Sequence, residues 1–294
     1  MAKVIILFIL VSIIGASGGT FGKVALQDFP PSIIVFLRFF LAAIILLPFV
    51  LREKITIIPG TFKNLAFAGT ALTLNLLLFV SGLQYTSIIM SQLMFIPSAL
   101  LVGLIGFLFL KEKISKNQII GLILAILGMS ILLYGSIKSQ DILSLGKPIG
   151  NILVGIGVLF WSFYLVFSRK LSKVYSPIAI AFSNFLFAAI ISLPFALWEF
   201  KSGHFLIAEV TTAGILAILG LTLISSIAFY LILQRLIKLT SAFIGSLTVY
   251  GVFLSVSILG PIFFSEKITL TFLVAAGLII PGVLIATRSG KIQK

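Results

Sequence analysis

FLFLKEKIS, residues 107–115, returns later in the same chain as PIFFSEKIT, residues 261–269, an offset of 154. At that offset Thr86-Ser87 matches Thr240-Ser241, and Gly106 matches Gly260. The earlier portions align at an offset of 146: Pro31 with Pro177, Ala42-Ala43 with Ala188-Ala189, and Pro48 with Pro194. The same register sets Gly15 opposite Trp161 and Lys23 opposite Arg169. One apolar unit is therefore written twice, over residues 1–144 and 145–294. Duplication of this kind is how many carriers place a solute site between two copies.

The chain is 60% hydrophobic and only 10% charged, with a mean hydropathy of +1.29. A soluble domain carries about 25% charged residues. A helix that spans a bilayer needs about 20 mostly apolar residues. Ten runs meet that need: 3–21, 32–51, 65–83, 87–110, 118–136, 148–168, 177–198, 212–234, 241–264 and 270–288. They are continuously apolar and too long for barrel strands. The expected fold class is an all-α integral membrane protein, ten transmembrane helices arranged as two inverted five-helix repeats. The first run, ending in Ala16-Ser17-Gly18, has the outline of a secretory signal peptide. Its alignment with the sixth run makes it the first helix of a repeat instead.

Five crossings per copy force the second copy to enter from the opposite face. Cytoplasmic loops are enriched in Lys and Arg. With both termini cytoplasmic, the outer segments hold only Lys23, Lys138, Lys147, Lys201 and Lys267. Arg38 lies within a helix, and every other cation falls on the inner side. Equivalent loops carry opposite bias: three lysines surround Glu112, but only Lys267 accompanies Glu266. The net charge of +14 thus reads as membrane orientation, with no nucleic acid as partner. The expected location is the cytoplasmic membrane, with lipid as surroundings and a monomer or weak homodimer as the assembly.

The segment from Gly82 to Gly135 reads GLQYTSIIMSQLMFIPSALLVGLIGFLFLKEKISKNQIIGLILAILGMSILLYG. It resembles the EamA-type transporters of the drug/metabolite transporter superfamily. The carrying features are a turn ending in Thr-Ser, a mid-helix proline, an apolar run closing on Glu-x-Ile-Ser, and then Gln-x-x-Gly. The pattern repeats from Ile237 to Ala286, and GVLFWSFY at 157–164 and Arg38 also fit. Three positions depart from it. Gly15-Ala16 stands where the family usually has Trp-Gly, Gly251 is the counterpart of Pro97, and Phe272-x-x-Ala275 replaces Gln-x-x-Gly. The resemblance implies a carrier of small metabolites, with export of amino acids or related compounds as the leading expectation. Uptake or antiport of nucleotide-type or other metabolites is the alternative.

Polar groups inside a spanning helix are costly in lipid, so they face the bundle interior. Arg38 is the only ionisable residue well inside an apolar run. It either reaches interface or helix-end carbonyls, or serves as a gate or solute contact. Ser87, Ser91, Met94 and Ser98 share one face of the fourth helix, and Gln92 lies on a neighbouring face. Ser241, Gly245 and Thr248 are the aligned positions of the ninth. Gly157, Trp161, Tyr164 and Ser168 share a face of the sixth. Ser225, Ser226, Tyr230 and Gln234 form a polar strip on the eighth, and Asn75 is the lone amide of the third. The candidate solute contacts are Asn75, Ser91, Gln92, Met94, Trp161, Tyr164, Ser226, Tyr230 and Thr248. Gly15, Gly18, Gly19 and Gly22 allow a close helix approach, and Pro97 and Pro281 are candidate kinks.

The seven acidic residues, Asp28, Glu53, Glu112, Asp141, Glu199, Glu209 and Glu266, all fall at helix ends or in loops. No carboxylate sits at mid-membrane to carry a proton, which favours facilitated diffusion or exchange. Without cysteine there is no thiolate metal site, and no cofactor is expected. An enzyme would need a convergent acid, base or metal cluster, so none is expected. A channel would need charge rings or a carbonyl filter. His204, in the outer loop, is assigned no role.

Overall fold

The structure, a computed structural model, describes residues 2–54, 56–95, 97–111, 114–138, 147–202, 205–264 and 270–288. Glu112, Lys113, Asp141, His204, Glu266 and Lys267 lie outside the described residues, and with them the loop comparison around the two EKI motifs. Among the described residues the regular structure is helical throughout. In chain order the helices are α1 (Ala2–Asp28), α2 (Pro31–Arg52), α3 (Phe62–Leu83), α4 (Ile88–Leu93), α5 (Ser98–Leu110), α6 (Lys116–Lys138), α7 (Pro148–Leu171), α8 (Pro177–Lys201), α9 (Thr212–Thr222), α10 (Phe229–Leu239), α11 (Ala242–Phe264) and α12 (Leu270–Arg288). A π-helical segment, Leu223–Ala228, joins α9 to α10.

Six stretches are long and apolar enough to cross a membrane: α1, α2, α3, α7, α8 and the composite Thr212–Leu239. Shorter apolar segments at Ser98–Leu110, Lys116–Gly128, Ala242–Val256 and Gly277–Ala286 stand where the remaining runs are expected. Large apolar side chains point outward at helical spacing, as with Leu186, Ile190, Leu193 and Leu197 on α8. On a soluble protein such a belt would be an aggregation surface; against acyl chains it is the solvated face.

Two expected runs are not single regular helices, and one of them, 212–234, passes through the π-helical Leu223–Ala228. The 87–110 run breaks between α4 and α5, where Met94 and Phe95 form a turn and Pro97 sits at the N-cap of α5. Proline cannot donate an amide hydrogen, so the ladder stops there. The first helix instead runs on past Ala16-Ser17-Gly18 to Asp28.

Helices with the same position in the two copies pack against each other: α2 with α8, and α6 with α12. Both pairs are antiparallel. Ser32, at the start of α2, meets Glu199, at the end of α8. Gly121, early in α6, lies against Gly282 and Ala286, late in α12. Small residues make this possible: Ala42 and Ala43 on α2, and Ala188 and Ala189 on α8, are buried.

The two carboxylates at this pair are reciprocal. Glu199 Oε2 accepts from the amides of Ser32 (2.9 Å) and Ile33 (3.3 Å), the first-turn donors of α2. Glu53 Oε2 accepts from the hydroxyl of Ser176 (2.8 Å), the N-cap of α8. Glu53 and Glu199 are 146 positions apart, the offset of the first halves. Each α2-type helix ends on an acid that meets the start of its counterpart, Glu199 at the first amides of α2 and Glu53 at the capping hydroxyl of α8, where the helix dipole favours negative charge.

Candidate solute-binding cavity

The helices converge on a cavity of about 100 Å³. Both copies supply its walls. Gly15, Gly18, Gly19, Arg38, Asn75, Phe79, Gln92 and Phe95 come from the first, and Trp161, Ser225, Phe229, Tyr230, Thr248 and Val252 from the second.

Glycine brings α1 close enough to form one wall. A Cβ on Gly15 would lie 2.6 Å from Val252 and 2.9 Å from Phe229, and one on Gly19 would lie 2.8 Å from Ile88. Those contacts are below van der Waals distance, so only glycine fits at either place.

Arg38 is 4% exposed and lines the cavity. Its Nε donates to Ser226 Oγ at 3.0 Å, and its Nη2 donates to the Ser225 carbonyl at 3.1 Å. The local backbone explains the second bond. Through Leu223–Ala228 the chain winds as a π-helix, with the Phe229 amide reaching back to Ile224 O. Such a widened turn leaves carbonyls imperfectly matched. Arg38 takes one of them, and Ser226 Oγ, which also donates to Leu221 O at 2.8 Å, supplies a second acceptor. Hydrogen bonds to a charged group are worth about 1.5–3 kcal/mol each, enough to offset the roughly 2.5–3.5 kcal/mol that a mid-helix arginine costs on insertion scales. Two of the five N–H donors are thus committed. Among the described residues no carboxylate faces the rest.

The other polar groups are sparse. Asn75 Nδ2 donates to Gly157 O at 2.9 Å, which fixes the amide across α3 and α7 and leaves its Oδ1 as an acceptor. Gln92 lies at the cavity wall with no described side-chain partner. Trp161 Nε1 is buried without an acceptor. Ser225 Oγ pairs with Ser17 Oγ at 2.7 Å and ties α1 to the π segment.

Aromatic rings form the rest of the wall. Trp161 lies near Phe95, edge-on at 6.3 Å, and stacks on Phe229 at 6.5 Å. Tyr230 meets Phe229 at 5.0 Å and 89°. Tyr164 sits one turn beyond Trp161, where its hydroxyl accepts from Gln234 Nε2 at 2.7 Å; the same nitrogen donates to Ser168 Oγ at 3.0 Å.

Of the residues that the sequence singles out, Arg38, Asn75, Gln92, Trp161, Tyr230 and Thr248 meet at the cavity. Ser91, Met94, Tyr164 and Ser226 are not among its lining residues. Ser91 Oγ turns back to Ile88 O at 2.7 Å, and Met94 lies in the turn that ends α4. Tyr164 is fully buried in the layer beneath, and Ser226 is spent on Arg38. Arg38 thus holds one carbonyl and one hydroxyl of the π-helical segment while bordering the cavity. Phe79, Phe95 and Phe229 escape a sequence reading, because an apolar ring facing a cavity has the same spacing as one facing the core.

The family model described as EamA-like transporter family matches the chain twice, over residues 2–134 and 148–288. A Bacillus subtilis (strain 168) protein named Uncharacterized transporter YetK is 29% identical over 235 residues, 77% of this chain and 69% of its own length. A Clostridium kluyveri protein named Uncharacterized transporter is 25% identical over 275 residues, 92% of this chain and 86% of its own. A Salmonella typhimurium protein named Probable amino-acid metabolite efflux pump is 28% identical over 178 residues, 60% of this chain and 56% of its own. A crystal structure superposes at a TM-score of 0.75, covering 99% of this chain and 98% of the other at 17% identity, which establishes a shared fold. With two full matches end to end and a helical bundle enclosing a cavity between them, the chain belongs to the EamA-like transporter family.

Proposed function

We propose that the protein is a secondary carrier that moves small polar metabolites by alternating access, with amino acids or related carboxylate-bearing compounds as its solutes. The observation that carries this reading is Arg38: a buried cation at a cavity wall, with donors to spare and no described carboxylate opposite. A monoanionic or zwitterionic solute would supply the missing partner through its carboxylate. Asn75 Oδ1, the Gln92 amide and the unpaired Trp161 N–H would orient it, and the rings of Phe95, Trp161 and Phe229 would pack its apolar part. One cation suits a single negative charge better than a nucleotide's several.

In this reading residues 1–144 and 145–294 are inverted halves, with the cavity on the pseudo-twofold axis between them. The antiparallel α2–α8 and α6–α12 pairs support that axis. Both termini are cytoplasmic in the cell membrane, and the direction of net flux is export. Asp28, Glu53 and Glu199 are engaged at helix ends, with Asp28 Oδ2 accepting from Thr211. None of the three lines the cavity, which favours facilitated diffusion or exchange over proton coupling through a carboxylate.

The test is counterflow in proteoliposomes. Vesicles preloaded with unlabelled amino acid are expected to accumulate the labelled compound transiently, saturably and without a pH gradient. Flux that does not saturate, or that needs an imposed proton gradient, would overturn the mechanism.

A further inference from the structure

Lys23 and Arg169 occupy the same place in the two copies, and so do the carbonyls they hold. Lys23 Nζ donates to Leu83 O at 2.6 Å. Arg169 Nη1 donates to Ile237 O and Lys238 O, each at 3.0 Å. Lys23 and Arg169 differ by the 146 offset of the early halves, and Leu83 and Ile237 by the 154 offset of the late halves. In both places a cation near the C-terminal end of one helix caps the last turn of another, where carbonyls are short of intrahelical donors, Ile237 O having only the Thr240 amide at 3.3 Å, and the dipole favours positive charge.

The two contacts lie at opposite faces of the protein. Leu83 ends α3, beside the start of α7: Lys147 N donates to Tyr85 O at 2.7 Å, and Thr86 bonds Asn151 at 2.7 Å. Arg169 stands at the other end of α7, a 24-residue helix about 36 Å long at 1.5 Å per residue. The cavity lies between them. Gly15, Gly18 and Gly19 line it one to two turns before Lys23, and Trp161 lines it two turns before Arg169.

We propose that these two cation–carbonyl contacts are alternating latches, one at each mouth of the carrier. The proposal rests on the alternating-access reading above. To admit solute at one face, α1 must part from α3; at the other, α7 must part from α10. Each movement breaks one latch while the other keeps the opposite mouth shut. The latches are unequal. Arg169 is buried and holds two carbonyls, whereas Lys23 is half-buried and holds one. The Lys23 mouth is therefore the one that opens in the resting carrier, and Arg169 keeps the other closed until solute binds.

The chain has no cysteine, so a single reporter can be placed without other changes. Gly18→Cys puts a thiol in the cavity, where the nearest atoms to a Cβ are 3.9 Å away. A membrane-impermeant maleimide is applied to right-side-out and to inverted vesicles. Arg169→Gln is expected to raise labelling through the Arg169 face at least about tenfold relative to the Lys23 face, the shift that loss of one charged hydrogen bond produces. Lys23→Gln should shift the ratio the other way, and Lys23→Arg should slow labelling through its own face. The two conservative variants, Lys23→Arg and Arg169→Lys, retain the cation and serve where a glutamine variant fails to fold. If the reporter reacts from both faces but the variants leave the ratio unchanged, or move it in the same direction, the latches are wrong and alternating access stands. A reporter reached from one face only, in parent and variants alike, overturns both.

Discussion

Gln234 reaches across from α10 to the Tyr164 hydroxyl on α7, 2.7 Å away, and seals the layer beneath the cavity. Its Nε2 also serves Ser168, while its Oε1 is buried without a partner. Gln234→Ala removes both bonds and opens a void, so a loss of about 2–4 kcal/mol is expected. Gln234→Met fills the space and deletes the unpaired oxygen, so its cost should stay near 1 kcal/mol. Thermal unfolding of the parent and both variants in detergent would rank them, and a Met variant melting with the parent would show that the bonds contribute nothing.

Arg38 works as a fork. Lysine keeps the charge but cannot span Ser226 Oγ and Ser225 O from one rigid plane. Arg38→Lys is expected to lower counterflow about tenfold, as for the loss of one charged hydrogen bond, and Arg38→Ala to lower it further. Purified protein per vesicle is the control. Full activity in both variants would remove Arg38 from the solute path.

Trp161 separates packing from recognition. Trp161→Phe retains a ring against Phe95 and Phe229 but deletes the buried N–H. Stability is expected to change by less than about 1.5 kcal/mol, while the apparent affinity for solute weakens several-fold through the lost donor. Trp161→Ala should lose both stability and flux. A Phe variant with unchanged affinity would make the residue a packing element only.

The glycines of α1 make a steric prediction. Gly15→Ala sets a Cβ 2.6 Å from Val252 and should cost about 1–3 kcal/mol. Gly18→Ala, with nothing nearer than 3.9 Å, should be tolerated. Yield of folded protein after size-exclusion chromatography discriminates the two, and a tolerated Gly15→Ala would mean that α1 moves freely.

The bundle was legible in the chain because lipid imposes a length and a polarity on every crossing, and because duplication offers each position a second reading. The lining positions Asn75, Trp161, Tyr230 and Thr248 followed from the rule that polar or amphipathic groups avoid acyl chains. Ser91 and Met94 did not land there. The side of α4 that meets the cavity is the one carrying Gln92, and Ser91, one position around the helix, turns its hydroxyl back to Ile88 O. The π segment had no local sign, since Leu223–Ala228 contains neither glycine nor proline. A carbonyl within it is taken up by Arg38, far away in sequence. Tyr164 shared the correct face with Trp161, yet one helical turn carried it below the floor.

The reciprocal acids Glu53 and Glu199 bear on how the halves can travel. Each ties down the opposite end of one antiparallel couple, so neither α2 nor α8 can slide lengthwise without breaking both contacts. Piston strokes are thereby disfavoured, and a seesaw about this couple remains as the soft mode. Its fulcrum would sit beside Phe39 and Phe185, whose rings touch at 5.2 Å near the middle of the two helices.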